Sequence, residues 1–335
     1  MSQSANASPK NPGQFVVARD DGPEIAALRT AVLAIGNFDG VHRGHRSVIA
    51  LAMRRAKAAG KPAAVLTLEP HPRSYFRPHE KLFRLSDEHQ KLRLLAATGL
   101  DGAVVLSFNA GLAGLPAEEF VSRILVERLA VSGVAIGFDF HFGQGRGGSP
   151  AFLKEAGARH GFPVDIVPPL EDEGRPVSSG TIRAALEAGR VVEAAELLGY
   201  PWFVSGEVVH GEKRGRDLGF PTANLKLDPA CGLKHGIYAV RVGIGEARYD
   251  GVASFGRRPT FDNGAPLLEV FLFDFSGDLY GKTLDVALIG WIRPEEKFNS
   301  IEALVAQMNE DASRARDALK RSGDAFPRLG YIAAR

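Results

Sequence analysis

At roughly 150 residues per domain, a chain of 335 residues with 45% hydrophobic content divides into about two units, each able to build a full core. Fibrous, disordered and miniprotein classes are thereby excluded. Forty-one Lys and Arg against 39 Asp and Glu leave a formal charge of +2, so no chain-wide field draws the protein to nucleic acid or a membrane surface. The single cysteine, Cys231, rules out an internal disulfide, and neither a CxxC pair nor a His/Cys cluster points to zinc. A reducing cytoplasm is the expected compartment. No apolar run reaches bilayer length, and the polar residues 1–14 read as a disordered tail without the basic start and hydrophobic stretch of a secretory signal.

From about residue 30 to residue 189, short β-branched runs alternate with longer helical patterns, the spacing of crossover connections and a parallel sheet. Strands are predicted at 31–35, 63–68, 103–108, 134–137 and 164–167, each largely apolar as strands covered on both faces are. Helices are predicted from Gly44 to Ala59, after Ser86, and from Pro116, where Ala117, Glu118 and Glu119 suit a helix N-terminus. Phe120, Ile124 and Leu125 then share one face.

Past Tyr200 the pattern turns to short alternating strands punctuated by glycine, at 204–209, 237–242, 267–275 and 284–289, which reads as mostly antiparallel β. Ser276-Gly277-Asp278 reads as a turn between two of them. A last helix is predicted to open at Asn299 with Glu302 in the capping position, its Ile301, Leu304, Val305 and Met308 packing onto the β-unit. The expected organisation is a first unit over 15–190, a linker over 191–201 and a second unit over 202–325, with no repeat at a fixed period.

Immediately after the first predicted strand, Gly36-Asn37-Phe38-Asp39-Gly40-Val41-His42-Arg43-Gly44-His45 runs into a helix. A helix N-terminus presents unpaired N–H groups and partial positive charge, and Gly40 and Gly44 let backbone approach a phosphate. His42 and His45, three apart on the first turn, can aim ring N–H groups at one phosphate and stabilise charge developing there. The GxHxGH pattern is neither GxGxxG nor GxxxxGKS/T, and it resembles the HIGH-type signature of nucleotidyltransferases. Two histidines at a helix start also read as simple caps; the glycines, preceding strand and following helix favour the phosphate reading.

Two further segments join it. Gly137 to Gly143 ends a later strand, where parallel sheets place ligand loops, and its Asp139 suits a base or ribose. Ser178, Ser179, Thr181 and Arg183 precede or open a helix and read equally as a triphosphate clamp or as a cap followed by a surface arginine. Glu69-Pro70-His71-Pro72 reads as a stiff turn rather than a catalytic element.

In the second unit, residues 211–224 hold three glycines and three cations followed by Phe220-Pro221-Thr222-Ala223-Asn224. Such a loop suits a nucleotide tail, with Thr222 and Asn224 offering neutral oxygens to Mg²⁺; a solvated basic hairpin is the alternative. Period-two alternation puts Glu269 on one face with Leu267, Phe271, Phe273 and Phe275. If that face is the barrel interior, desolvation raises the carboxyl pKa as a general base requires; if it meets water, Glu269 is ordinary.

Taken in order, IGNFDGVHRGH, LEPHPR, GFDFHFG, VSSGTIR, GRDLGFPTANL, GRRPTF and LEVFLFDFSGDLYG closely resemble the bacterial bifunctional riboflavin kinase/FAD synthetase family from about Ala31 to Asp311. The resemblance implies an α/β Rossmann-like nucleotidyltransferase domain plus a small antiparallel β-barrel domain with a C-terminal helix. It implies that the first phosphorylated product, FMN, is made from riboflavin and ATP on the barrel. FMN is then adenylylated to FAD with release of pyrophosphate on the α/β domain, with Mg²⁺ in both steps and no nucleic-acid or membrane partner. By that likeness His42, His45 and Glu269 are catalytic. Asn37, Gly40, Gly44, Asp139, Ser178, Ser179 and Arg183 bind ATP in one domain, and Gly215, Arg216, Gly219 and Pro221 in the other, with Thr222 and Asn224 on the metal. The sequence departs from the family at Gly180, where Thr is usual, at His141, where Arg is usual, and at Phe271, a site often polar. Oligomeric state is not readable from it.

Overall fold

The computed structural model describes residues 14–20, 22–172, 174–210, 220–257 and 266–332. The expected tail over 1–14 falls outside them apart from Gln14, as do Gly215, Arg216, Gly219 and the segment from Arg258 to Phe261.

The first unit is a six-stranded parallel sheet in the order β1-β4-β3-β2-β5-β6. Its strands are β1 (Val16–Arg19), β2 (Val32–Ile35), β3 (Ala63–Glu69), β4 (Gly102–Ser107), β5 (Gly133–Gly137) and β6 (Val164–Val167). Five agree with the predicted strands to within about a residue. The edge strand β1 was not anticipated, because four residues are too few to display a period. The helix Arg43–Ala59 buries Val48, Ile49, Ala52 and Ala56 against the sheet and closes on Gly60, whose φ of 62° is the left-handed conformation of a helix stop. The segment from Pro116 begins with the helical turn Ala117–Glu119 but continues as a π-helix, Phe120–Arg128. That widening changes the buried set to Phe120, Val121 and Leu125, leaving the predicted Ile124 only half-buried. A two-stranded ribbon, β7 (Glu171–Asp172) with β8 (Arg175–Pro176), precedes the helix Ser179–Glu187. Residues 191–201, expected as a linker, contain the helix Val191–Leu198, which buries Val191, Ala194, Leu197 and Leu198.

The second unit is a closed six-stranded antiparallel barrel in the order β10-β13-β12-β11-β14-β9. It is built from β9 (Phe203–Val209), β10 (Thr222–Lys226), β11 (Gly236–Ile244), β12 (Ala247–Arg257), β13 (Pro266–Leu272) and β14 (Thr283–Arg293). Leu268, Val270 and Leu272 are buried, so Leu267, Glu269 and Phe271 point to the outer face. Of the two faces the sequence left open for Glu269, the structure gives the outer one: inward positions go to aliphatic side chains, which fill a small barrel without desolvating a carboxylate.

The C-terminal helix Ile301–Arg321 is capped by Ser300, whose Oγ accepts the Ala303 N–H at 3.1 Å, and not by Asn299. Its buried residues are Asp311, Ala315 and Leu319, whereas Ile301 is 62% exposed. The first turn projects beyond the barrel, so the packing face begins a turn or more later than the apolar residues alone predicted.

The two units share an interface rather than a tether. Trp202 donates its indole N–H to the Leu85 carbonyl at 2.8 Å, and Tyr200 donates its hydroxyl to the Gly40 carbonyl at 2.5 Å. Arg93 grips Asp285 of β14 through two nitrogens at 2.8 and 2.7 Å.

Candidate active sites

In the order β1-β4-β3-β2-β5-β6 the chain winds one way from β2 to β3 and β4, and the other way to β5 and β6. The crevice at the carboxyl ends of β2 and β5 is the switch point of the sheet, where open parallel sheets bind ligands. The two loops that leave it carry Gly36 to His42 and Phe138 to Gly143. The first is tightly wound: Phe38, Gly40 and Val41 have φ of 51°, 78° and 39°, and two of those three are not glycine. Surroundings that over-determine the turn hold this strain. Phe38 and Val41 are buried, the Gly40 N–H donates to Ser86 Oγ at 3.0 Å, and a Cβ on Gly40 would come within 2.9 Å of Leu85.

His42 caps the following helix by accepting the His45 N–H on Nδ1 at 3.3 Å, which leaves its ring proton on Nε2. The two imidazoles stack with centroids 3.6 Å apart, and His45 meets the edge of Phe38 at 5.3 Å. Gly44 fits closely here, since a Cβ would lie 3.2 Å from both the His42 ring and the Val177 carbonyl, tighter than an ordinary contact. Burial, opposed by Asp39 and helped by Arg183, lowers the His42 pKa to about 4. Burial, then His42 and Lys91, takes His45 well below its ordinary value. Both rings are neutral donors at physiological pH.

Asp39, which sequence reasoning left as a motif letter, is the hub of the site. Its Oδ1 accepts the N–H groups of Leu85 and Ser86 at 2.9 and 3.1 Å, and its Oδ2 pairs with Arg183 at 2.6 Å. Arg183 also donates to the Phe83 carbonyl at 2.6 Å, and Ser179 donates to the Asp39 carbonyl at 3.0 Å. Ser178 caps the helix Ser179–Glu187 by accepting from the Thr181 N–H. The cap reading thus holds for Ser178, while Arg183 is not a free surface arginine but is drawn in to Asp39. Asn37 is exposed to the crevice while its carbonyl accepts from Thr67 and Lys91 at 3.2 and 3.3 Å. Asp139 is exposed on the loop after β5. His71 caps the short helix Pro72–Phe76, as a turn residue does, yet the fields of Asp39, Arg84 and Arg183 reach its ring. Tyr75, Phe76 and Phe108 form an edge-to-face trio at the ends of β3 and β4, with Phe76 63% exposed.

On the barrel, Asn224 of β10 lies directly across from Glu269 of β13, and Thr222 lies across from Phe271. Directly opposed residues of an antiparallel pair project to the same face, so Thr222, Asn224 and Glu269 share the outer surface. On its other side Glu269 is paired with Ser254 of β12. Pro221 stands exposed just before β10, and Phe220 meets the Phe271 ring at 5.0 Å. Phe220, Phe271, Phe273, Asn309 and Ser313 line a cleft of about 430 Å³ beside this row.

A parallel sheet with a histidine-bearing turn at its switch point, followed on the same chain by a small closed barrel, is the architecture of a two-module enzyme. Residues 24–181 match the FAD synthetase family model, and residues 198–319 match the riboflavin kinase model. A bifunctional riboflavin kinase/FMN adenylyltransferase of Pseudomonas fluorescens is 43% identical over 289 residues, 86% of this chain and 93% of the relative. The protein of that name from Escherichia coli K12 is 40% identical over 287 residues, 85% of this chain and 92% of the relative. A solved structure from Streptococcus pneumoniae, described as a macrolide-efflux protein, superposes with a TM-score of 0.81 at 32% identity, covering 90% of this chain and 99% of its own. The chain belongs to the bifunctional riboflavin kinase/FMN adenylyltransferase family. No helix among the described residues is long and apolar enough to cross a membrane.

Proposed function

We propose that the two centres divide a two-step synthesis between them, with His42 and His45 serving the second step and Glu269 the first. The protein phosphorylates riboflavin with ATP to give FMN and adenylylates FMN with ATP to give FAD and pyrophosphate. The observation carrying the site reading is the neutral, stacked histidine pair at the sheet's switch point, held over the Asp39–Arg183 hub.

In the adenylyl step, an FMN phosphate oxygen attacks the α-phosphorus of ATP and the bond to pyrophosphate breaks. His42 Nε2–H and the free N–H groups of the helix Arg43–Ala59 face the charge that accumulates, and no covalent intermediate on the protein is needed. Asn37 and Asp139, on opposite sides of the crevice, orient the nucleotide, and Ser178, Ser179 and Arg183 keep its far wall in place. The aromatic trio Tyr75, Phe76 and Phe108 offers the flavin ring a stacking face.

In the kinase step, Glu269 takes the proton from the ribityl hydroxyl as that oxygen attacks the γ-phosphorus of ATP, and the bond from the γ-phosphorus to the β-phosphate oxygen breaks to release ADP. Thr222 and Asn224 would hold Mg²⁺: hard neutral oxygens beside a carboxylate on one face are a donor set that suits it. The bound ion would supply charge neutralisation on the phosphates. Pro221 sets the backbone that enters β10, and Gly215, Arg216 and Gly219 precede it as phosphate-binding residues by family likeness alone.

Chromatography of flavins after incubation with riboflavin, ATP and Mg²⁺ tests the assignment. The wild type yields FMN and FAD, His42→Ala accumulates FMN alone, and Glu269→Gln makes FAD only when FMN is supplied. Parallel loss of both activities in each folded variant would overturn the division of labour.

A further inference from the structure

Beneath the phosphate turn lies a charged side chain that neither half-reaction has used. Lys91, on the helix Glu88–Ala96, is 1% exposed. Its Nζ reaches Glu69 Oε1 at 2.6 Å, Thr67 Oγ1 at 3.0 Å and the Asn37 carbonyl at 3.3 Å, so all of its donors are spent. Two of those partners are on β3 and the third is the first turn residue exposed to the crevice, so one ammonium ties the phosphate turn to the neighbouring strand. Glu69 does not need this lysine for neutrality, because Arg84 already grips both its oxygens at 3.0 and 2.7 Å. Arg84, Lys91 and Arg183 thus interleave with the carboxylates of Glu69 and Asp39 around a neutral histidine pair, and the exposed Asp87 acts on Arg84 as well.

The lysine is also pinned from behind. Its helix opens with a reciprocal cap between Asp87 and Gln90, Gln90 donates to the Phe203 carbonyl at 3.2 Å, and Arg93 is clamped on Asp285. The barrel thus fixes the helix that fixes the ammonium.

We infer that Lys91 is a positioning residue for adenylyl transfer, holding the Asn37 carbonyl, and with it the turn that carries His42, in register against β3. The inference rests on the reading of the His42 turn as the adenylyl site. Its test uses the full chain, with the FMN-forming activity of the barrel as the internal measure of folding. Initial rates of FAD formation from FMN are measured against ATP concentration for Lys91→Met, Lys91→Arg and the double variant Glu69→Gln/Lys91→Met, with His42→Ala alongside.

Lys91→Met is expected to lower kcat/KM for ATP by about tenfold or more while FMN formation stays within about twofold. Lys91→Arg recovers most of that loss, and the double variant does not. Unchanged adenylylation in Lys91→Met, or full recovery in the double variant, overturns the inference, since Lys91 would then only neutralise Glu69. If Lys91→Met also loses FMN formation, Lys91→Gln is read by the same ratio of the two activities, and parallel loss there too assigns Lys91 a purely structural role. Should His42→Ala keep its adenylylation rate, the site reading falls by itself.

Discussion

Asp39 and Arg183 stand 144 residues apart in sequence and meet at 2.6 Å. That contact closes the first module on itself: the turn after β2, the segment around Leu85 and the helix Ser179–Glu187 all converge on one carboxylate.

Removing the guanidinium leaves Asp39 buried with only its two backbone donors. Arg183→Met is expected to cost about 3 kcal/mol of stability, the usual scale for stranding one member of a buried pair, and to depress FAD formation more than FMN formation. Urea denaturation and separate assays of the two products check it.

The His42 pKa falls from 6.5 to about 4, so the unfolded chain takes up this proton first as pH drops. The corresponding stability is fully present above about pH 6.5 and is lost as pH falls towards 4, by about 3 kcal/mol at the lower limit. NMR titration of His42 in the ligand-free protein should find the imidazole neutral from pH 8 to about 5. A midpoint near 6.5 would show that the ring is not desolvated.

Arg93 and Asp285 join the modules through two parallel hydrogen bonds, with Ser205 donating to the same carboxylate at 2.5 Å. A double-mutant cycle with Arg93→Ala and Asp285→Asn should return a coupling of about 1 to 2 kcal/mol in global unfolding. Coupling near zero would mean that the interface is held by its apolar contacts alone.

Asn224 is 6% exposed and directly opposite Glu269. Asn224→Ala should raise the Mg²⁺ concentration needed for half-maximal FMN formation by about tenfold, leaving FAD formation from supplied FMN unchanged. An unaltered Mg²⁺ dependence would move the metal elsewhere.

Much of this site was legible as sequence because its requirements are local. A tight turn of this kind needs a glycine at a φ and clearance that other residues do not tolerate, as at Gly40, and a helix start close behind, so the pattern is compressed into a few residues. Period-two alternation likewise put Glu269 on one face with Phe271, but alternation does not say which face is the inside. The π-helical widening at Phe120–Arg128 and the choice of Ser300 over the adjacent Asn299 as cap escaped because a shift of one residue leaves the apolar pattern almost unchanged.

By itself, the order of residues determined the two modules and the histidine-bearing turn, because hydrophobic periodicity and short-range backbone geometry encode each of them. Only the tertiary structure decided that Asp39 is the hub, that Lys91 is buried under the turn and that Glu269 faces outward. Those facts depend on contacts between distant segments, where a lysine on a helix or an aspartate in a loop takes its meaning from what folds over it.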